Sequence, residues 1–219
     1  QLALLNYVRS LLSPGSRVLL GGDAGFGSIS VIRQLRRWRW FYVLRQKSSH
    51  LVRKKGSRQW QHFGSLVQKS GQEVWWPEAF LTAGWKYPTA LLAYWASGEN
   101  EPWLLATNLP EARQTRQAYK RRMWVEEMFG DMKGHGVDLE ASRLQHFLDL
   151  SRLMLAVSLL YVWLMHSGQR AVKSGQRHLV DRHDRRDLSI FRIGWYLTEK
   201  RLALHQDISV AFDPLVSGS

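Results

Sequence analysis

Residues 119–133 read YKRRMWVEEMFGDMK, and this stretch holds the spaced set Tyr119, Arg122, Glu126 and Lys133. Each residue of an α-helix turns the chain by about 100°, so this Y-x2-R-x3-E-x6-K spacing brings all four onto roughly one face. A phenol, a guanidinium, a carboxylate and an ammonium would then share one stripe. The carboxylate suits a divalent metal, and the other groups suit phosphate oxygens. The alternative is a solvated helix face with one i,i+4 ion pair.

The chain is strongly basic. Its 219 residues include 31 Lys and Arg against 18 Asp and Glu, a formal net charge of +13. Nucleic acid is therefore the leading partner, because neutralising phosphates releases counterions. The alternative is a basic protein without a nucleic-acid role. Residues 1–72 carry one acid, Asp23, beside thirteen Lys and Arg, which gives that carboxylate unusual weight.

Two further features of composition limit the function. The chain has no cysteine, which excludes disulfides and thiolate metal sites. The best membrane candidate, residues 153–165, is too short to span a bilayer, so we expect a buried core helix there.

Hydrophobic periodicity predicts an α/β unit at the start of the chain. Asp23 directly follows the first strand, and Ser28 is placed to cap the helix after it. Short links between strand, helix and strand favour parallel pairing. The predicted elements are a helix at 2–12, a strand at 17–20, a helix at 29–38 and a strand at 40–44.

The middle of the chain predicts antiparallel strands, and the remainder predicts helices. We interpret residues 46–108 as a mostly β insertion, with strands at 59–63, 73–76, 81–85, 90–95 and 103–107. Helices are expected at 110–133, 139–166 and 188–205, with a polar loop or arm at 167–187 and a frayed tail at 212–219.

Several single residues have competing interpretations. Asp23 lies at the carboxyl end of a strand, where α/β sites form, or it caps the following turn. Trp103 is a core residue or a platform for a stacked base. Asp131 lies off the stripe and is expected at the surface, and His135 between two glycines is not expected to be a ligand.

The chain resembles the DDE transposases of bacterial insertion sequences, in the branch marked by a Tyr-Arg-Glu-Lys signature. The signature spacing at Tyr119 carries the resemblance, with the segment VLLGGDAGFG at 18–27 and the β-rich stretch before Glu126. It covers most of residues 15–166. The resemblance implies a partial RNase H-like α/β core with an inserted β subdomain and C-terminal helices.

The resemblance also implies roles for individual residues. Asp23 would be the second and Glu126 the third catalytic acid, both binding Mg²⁺, with Mn²⁺ as a substitute. Tyr119, Arg122 and Lys133 would bind DNA phosphates near the cut transposon end.

A base-stacking role is implied for one tryptophan. Some members of the branch form a DNA hairpin and flip out a base, which stacks on a tryptophan before an L-L-x-T-like strand. Residues 103–107, WLLAT, resemble that segment, so Trp103 is the candidate.

The implied context is cut-and-paste DNA transposition in the bacterial cytoplasm, without a membrane. Double-stranded DNA, as transposon ends and target, would be the partner of a homodimer. The expected segments are 1–45 (part of the core), 46–108 (insertion), 109–166 (catalytic and core helices) and 167–219 (basic arm, helix and tail).

One departure from the family is serious. Residues 1–22 contain no Asp or Glu, so the first catalytic Asp is missing, and so are the first strands of the fold. We therefore expect a C-terminal fragment that is inactive alone. A catalytically dead DNA-binding remnant is one alternative, and a structural or interaction protein with a coincidental stripe is another.

Overall fold

The computed structural model describes residues 1–134, 144, 146–182, 184 and 186–208, without the side chains of 132–134. The helices are α1 (Leu2–Leu11), α2 (Ile29–Arg37), α3 (Ala112–Gly134), α4 (Phe147–Lys173) and α5 (Ile190–Ala203). The strands are β1 (Leu19–Gly22), β2 (Phe41–Arg45), β3 (Leu51–Lys54), β4 (Gln61–His62), β5 (Glu73–Leu81), β6 (Tyr87–Tyr94) and β7 (Trp103–Thr107). Short 3₁₀ turns cover Phe63–Leu66 and Gln176–Leu179.

The seven strands form one mixed sheet in the order β1-β2-β7-β6-β5-β3-β4. β1 and β2 are parallel, as predicted, and the other pairs are antiparallel. The strands of the predicted insertion therefore continue the sheet that β1 and β2 begin. This is a mixed α/β fold.

Two strand predictions differ from the structure. Residues 81–85 were predicted as a strand, but Leu81 ends β5 and a turn leads to β6. Thr82 and Lys86 there have φ values of 57° and 46°, outside the extended region. β3 was not predicted, because its LVRK sequence has cationic residues at its end.

Helices α1 and α2 cover one face of the sheet, and the first half of α3 covers the other. Tyr42 and Leu44 of β2 belong to the core with α2, whereas Val43 between them packs with Tyr119 of α3. Alternate residues of a strand point to opposite faces, so one strand serves both cores. The predicted helix at 110–133 is confirmed as α3.

The ends of α2 explain how the chain enters β2. Ser28 caps the helix, as predicted, accepting a hydrogen bond from the Val31 amide. At the other end Arg39 has a φ of 58°. Its amide donates to Arg36 O at 3.0 Å, and the Trp40 amide donates to Leu35 O at 2.9 Å. That pair of bonds is the Schellman motif, which reverses the chain after a helix.

A buried polar network joins β2 to the end of β7. Thr107 donates from Oγ1 to Tyr42 O at 2.7 Å and accepts from the Leu109 amide at 3.0 Å. Thr89 donates to Thr107 O at 2.9 Å and contacts the Tyr42 hydroxyl at 3.0 Å. Burial raises the pKa of Tyr42, although Thr89 and Arg36 oppose that shift. The network gives hydrogen-bond partners to buried polar groups that are not paired by the strands of the sheet.

The chain divides into two compact units, residues 1–125 and 126–219. In the second unit the backbones of α4 and α5 pack closely against each other at two glycines. A Cβ on Gly168 would lie 2.0 Å from Ile190 O, and one on Gly194 would lie 1.9 Å from Leu164 O. Only glycine permits that approach. Helix α5 confirms the last predicted helix.

Helix α4 corrects two predictions. It continues to Lys173, into the expected loop at 167–187. The expected buried core helix at 153–165 is also wrong, because among those residues only Val157 and Leu164 are buried, while others such as Leu155 are 63% exposed. An apolar composition does not bury a helix unless another element covers each face. By length and hydropathy α4 is the one described helix that could cross a membrane, which is weak evidence.

Candidate active site at the carboxyl end of strand β1

Asp23 lies immediately after β1, where the sequence predicted it. Its Oδ1 accepts a hydrogen bond from the Gly25 amide at 2.9 Å, and its carbonyl accepts from the Phe26 amide at 3.1 Å. The side chain therefore closes a tight turn, as the alternative interpretation proposed, and is also exposed to solvent. An exposed carboxylate at a strand end can still bind a cation through its remaining lone pairs.

Glycine is required four residues later for the turn to close against β2. A Cβ on Gly27 would lie 2.6 Å from Arg45 O and 2.7 Å from Gln46 Nε2. Any other residue would push the turn away from the strand. Gly27 therefore keeps Asp23 beside the carboxyl end of β2.

A cavity of about 550 Å³ opens beside Asp23, and it is lined by both signs of charge. Arg45, Lys47 and Glu101 contribute to its wall. Arg45 Nη2 lies 2.7 Å from Glu101 Oε1, and this pair is partly exposed. Such ion pairs contribute little stability, so phosphate can compete for the guanidinium. Carboxylate and cations together suit a phosphodiester near a metal ion.

The sequence reasoning missed Arg45 and Lys47. A signal was available, because Arg45 is the last residue of β2 and Lys47 follows two residues later, and parallel strands end at the same edge of a sheet. The predicted parallel pairing of β1 and β2 placed them beside Asp23.

Tyr119 of the predicted stripe is buried in the core of the first unit. It is 1% exposed and packs with Val43, Leu92 and Leu105. The Arg122 guanidinium lies 5.8 Å from the centre of its ring. The described contacts thus give Tyr119 a packing role, and contact between its hydroxyl and a phosphate stays a prediction.

Trp103 lies at the start of β7 and is half-buried. Its ring packs against two tyrosines, at 5.8 Å from Tyr94 and 5.1 Å from Tyr119, both in edge-to-face geometry. These contacts fix the orientation of the indole. Stacking on a flipped base stays a prediction.

Glu126 and Lys133 are both on α3, as predicted. The Glu126 side chain is exposed. The Lys133 side chain lies outside the described part of the chain, as do His135 and the tail at 212–219.

Asp131 corrects a prediction. It was expected at the surface, but it is 8% exposed, and Ser189 donates to its Oδ1 at 3.0 Å. Ser189 also caps α5, so the carboxylate is buried against a helix start that supplies a hydroxyl donor. Burial, with the negative charges of Asp131 and Glu127, raises the pKa of Tyr161.

The comparison with protein families supports the transposase interpretation. Residues 3–163 match the family described as Transposase DDE domain, which is more than half of the chain. The chain belongs to this family. A comparison with curated proteins gave no match. Members of the transposase DDE domain family are normally soluble and act on DNA, and they generally use divalent metal ions.

The donors of this DDE domain fit such a metal in their chemistry. Asp23 and Glu126 are exposed carboxylates, and Mg²⁺ prefers oxygen ligands. Within the described residues, no group of three or more His, Asp or Glu side chains gathers in one place. These two residues can therefore contribute ligands, and a complete set needs further donors.

Proposed function

We propose that this DDE domain carries the DNA-cleaving and strand-transfer site of a cut-and-paste transposase in the Tyr-Arg-Glu-Lys branch. The main support is Asp23, an exposed carboxylate at the end of β1 beside Arg45 and Lys47, in a chain of this family. The parallel β1–β2 pair, with its acid after β1, supports an RNase H-like core.

In this proposal Asp23 and Glu126 bind the metal ions. Mg²⁺ held by these two residues would supply the electrophilic chemistry of phosphodiester cleavage and strand transfer. Arg122 and Lys133 hold phosphate near the cut, together with the cations beside Asp23. The Tyr119 ring packs against the Arg122 guanidinium. Contact between the Tyr119 hydroxyl and a phosphate is part of the proposal.

Catalysis would require at least one further carboxylate to bind the metal ions. Two acids supply few of the six ligands that Mg²⁺ prefers. Residues 1–22 contain no acid. We therefore expect residues 1–219 alone to bind DNA without cutting it. The active protein would be a dimer that joins two transposon ends in the bacterial cytoplasm.

Cleavage assays test this function. The protein expressed from the complete open reading frame is incubated with DNA carrying the ends of the element, with and without Mg²⁺. Asp23→Asn and Glu126→Gln should each lower nicking more than about 100-fold, since even outer partners of metal ligands are worth about 10- to 100-fold. DNA affinity should remain, whereas Arg122→Gln should weaken it.

A catalytically dead DNA-binding remnant is the second candidate. It is favoured by the absence, within the described residues, of any group of three or more metal-binding side chains. It predicts salt-sensitive DNA binding with no nicking by the wild-type protein from the complete reading frame. Metal-dependent nicking by that protein would exclude the remnant.

The role of Trp103 has its own test. Trp103→Ala should impair hairpin formation more than first-strand nicking, because only the hairpin needs a flipped base. Trp103→Phe is the control, since its ring can keep the contacts with Tyr94 and Tyr119. Equal loss of both steps in the alanine variant would assign Trp103 to packing alone.

A further inference from the structure

A second basic cavity lies at the opposite end of β1 and β2 from Asp23. Its volume is about 650 Å³, and Val18 and Phe41, at the amino ends of the two strands, contribute to its wall. The Phe41 amide donates to Val18 O at 2.8 Å, so the strands begin side by side. Val18 and Asp23 flank the four residues of β1, five steps of about 3.3 Å apart, so roughly 16 Å separates Val18 from Asp23.

Three arginines give this cavity its charge. It is lined by Arg9 at the end of α1, Arg17 before β1 and Arg39 after α2, and we call it the arginine pocket. All three side chains are exposed, and the lining includes no Asp or Glu. Within the described part of the chain, none of the three forms an ion pair. Three guanidinium groups without a protein anion favour an anionic ligand.

Aromatic rings hold one of these cations in place. The Arg9 guanidinium lies 5.2 Å from the centre of the Trp38 ring, and Trp38 lies 5.1 Å from Trp40. The two rings are tilted with respect to each other, and Trp40 is 6% exposed, so Trp38 packs against a ring of the core. A stacked guanidinium keeps its N–H edge available and loses less conformational freedom on binding.

Arg39 occupies a position that favours a different residue. Its φ of 58° is in the left-handed region, at the helix-ending position where glycine is usual. A residue with a Cβ is strained in that conformation. A long cation at such a strained position favours a function for its charge.

We propose that the arginine pocket binds the phosphodiester backbone of duplex DNA, as a second DNA contact away from Asp23. This inference rests on the proposed function in one respect, that the chain acts on DNA. The contact is to phosphates, so it adds affinity and orientation without reading sequence. DNA held there crosses the side of the sheet where β1 and β2 begin, and not the edge where the cut is made.

The test compares two triple variants with equal loss of charge. The pocket variant is Arg9→Gln, Arg17→Gln and Arg39→Gly. The control is Lys54→Gln, Arg58→Gln and Lys69→Gln. It removes three exposed cations outside the pocket lining: Lys54 and Arg58 at β3, near the sheet edge opposite β1, and Lys69 before β5. Affinity for a duplex of random sequence is measured by fluorescence anisotropy over a range of salt concentrations.

The pocket variant should bind the duplex at least about 10-fold more weakly near 0.1 M salt. The slope of log affinity against log salt should fall by about 2 to 3, since each phosphate contact contributes roughly 0.9. The control should change affinity by less than about 3-fold. Equal affinity and slope in the two variants would overturn the proposal.

The single variant Arg39→Gly separates charge from folding. It should raise the melting temperature, because glycine fits the φ of 58° without strain, and still weaken DNA binding. Unchanged DNA affinity in this variant would count against Arg39 as a contact.

Further arms separate the remaining outcomes. If inorganic phosphate binds the pocket by calorimetry while duplex affinity is unchanged in the pocket variant, the pocket is a small-anion site and the proposal fails. If the wild-type chain binds no duplex, the proposed function fails as well. If the wild type binds but the pocket variant matches its control, only this inference fails.

Discussion

Asp23 shows how much the sequence can say about a single residue. An apolar strand followed by GGDAGFG predicts an acid at a strand end, and the structure places Asp23 there in a turn closed by the Gly25 amide. Gly27 lets this turn lie directly against the backbone of Arg45. The spacing of residues in the sequence does not predict that contact.

The burial of Asp131 and Tyr119 was not predictable from helical periodicity. Both are polar residues on α3, and a pattern of polar residues favours exposure. Tyr119 is buried because Trp103 and the sheet cover it. The burial of the Asp131 carboxylate is tolerated because the Ser189 hydroxyl donates a hydrogen bond to it. Only the tertiary partners decide such cases.

His50 makes stability depend on pH. Burial, and then the positive charge of Lys47, lower the pKa of His50 from its ordinary value of 6.5. The unfolded chain therefore takes up this proton at a higher pH than the folded chain. The resulting stability is present above about pH 6.5 and is lost as pH falls towards the lower folded-state pKa.

His50→Gln should remove part of this acid sensitivity. The urea midpoint of the wild type should fall between pH 7.5 and pH 5.0, and the difference should be smaller in the variant. His62→Gln, at an exposed histidine, is the control and should respond to pH like the wild type. A full acid response in His50→Gln would contradict the assignment.

Among the secondary-structure elements, the first half of α3 is attached to the sheet by two side chains, Arg116 and Tyr119. Arg116 pairs with Glu73 of β5 at 2.8 Å and lies over the Tyr94 ring at 5.0 Å, while Tyr119 fills the core one turn later. The amino-terminal half of the helix that carries the signature residues is thus held by the strands of the predicted insertion. That is a structural reason for those strands to be present.

The sequence predicted helices better than strands. α1, α2, α3 and α5 were each found near their expected bounds. The turn at 82–86 was misread as a strand, since its Trp85 and Thr82 are typical strand residues. Backbone conformation overrode side-chain preference there.

The polar network between β2 and β7 predicts a large effect for a small change. Thr107 is 0% exposed and uses its hydroxyl both as donor and as acceptor. Thr107→Val keeps the shape but leaves the Tyr42 carbonyl and the Leu109 amide without this partner. We expect a loss of about 2 kcal/mol in the free energy of unfolding, measured by urea denaturation.

Thr115→Val is the matched control for that prediction. Thr115 is equally buried, but its hydroxyl bonds to Glu111 O, which already accepts a helical amide at 3.0 Å. Its loss should cost less than about 1 kcal/mol. Similar losses in the free energy of unfolding of the two variants would show that the Thr107 network contributes no more than a helical hydroxyl does.

On the scale of the whole molecule, charge and sheet geometry act together. The net charge of +13 indicated nucleic acid, but composition could not show where cations gather. The structure places cations at both ends of the β1–β2 pair, with Arg45 and Lys47 beside Asp23 and the arginine pocket at the other end. The family match agrees with the transposase resemblance read from the signature spacing.

Metal rescue of cysteine variants tests most directly whether Asp23 and Glu126 bind the catalytic metal. Asp23→Cys and Glu126→Cys are made in the protein from the complete reading frame, with Asp23→Asn as the control. Thiolate is a poor ligand for Mg²⁺ and a better one for softer ions such as Mn²⁺. Nicking of transposon-end DNA is then measured with each metal.

We expect both cysteine variants to lose nicking in Mg²⁺ and to regain part of it in Mn²⁺, while Asp23→Asn stays inactive with either ion. Full nicking by Asp23→Cys in Mg²⁺, or the same response to Mn²⁺ in Asp23→Cys and Asp23→Asn, would contradict metal binding by Asp23.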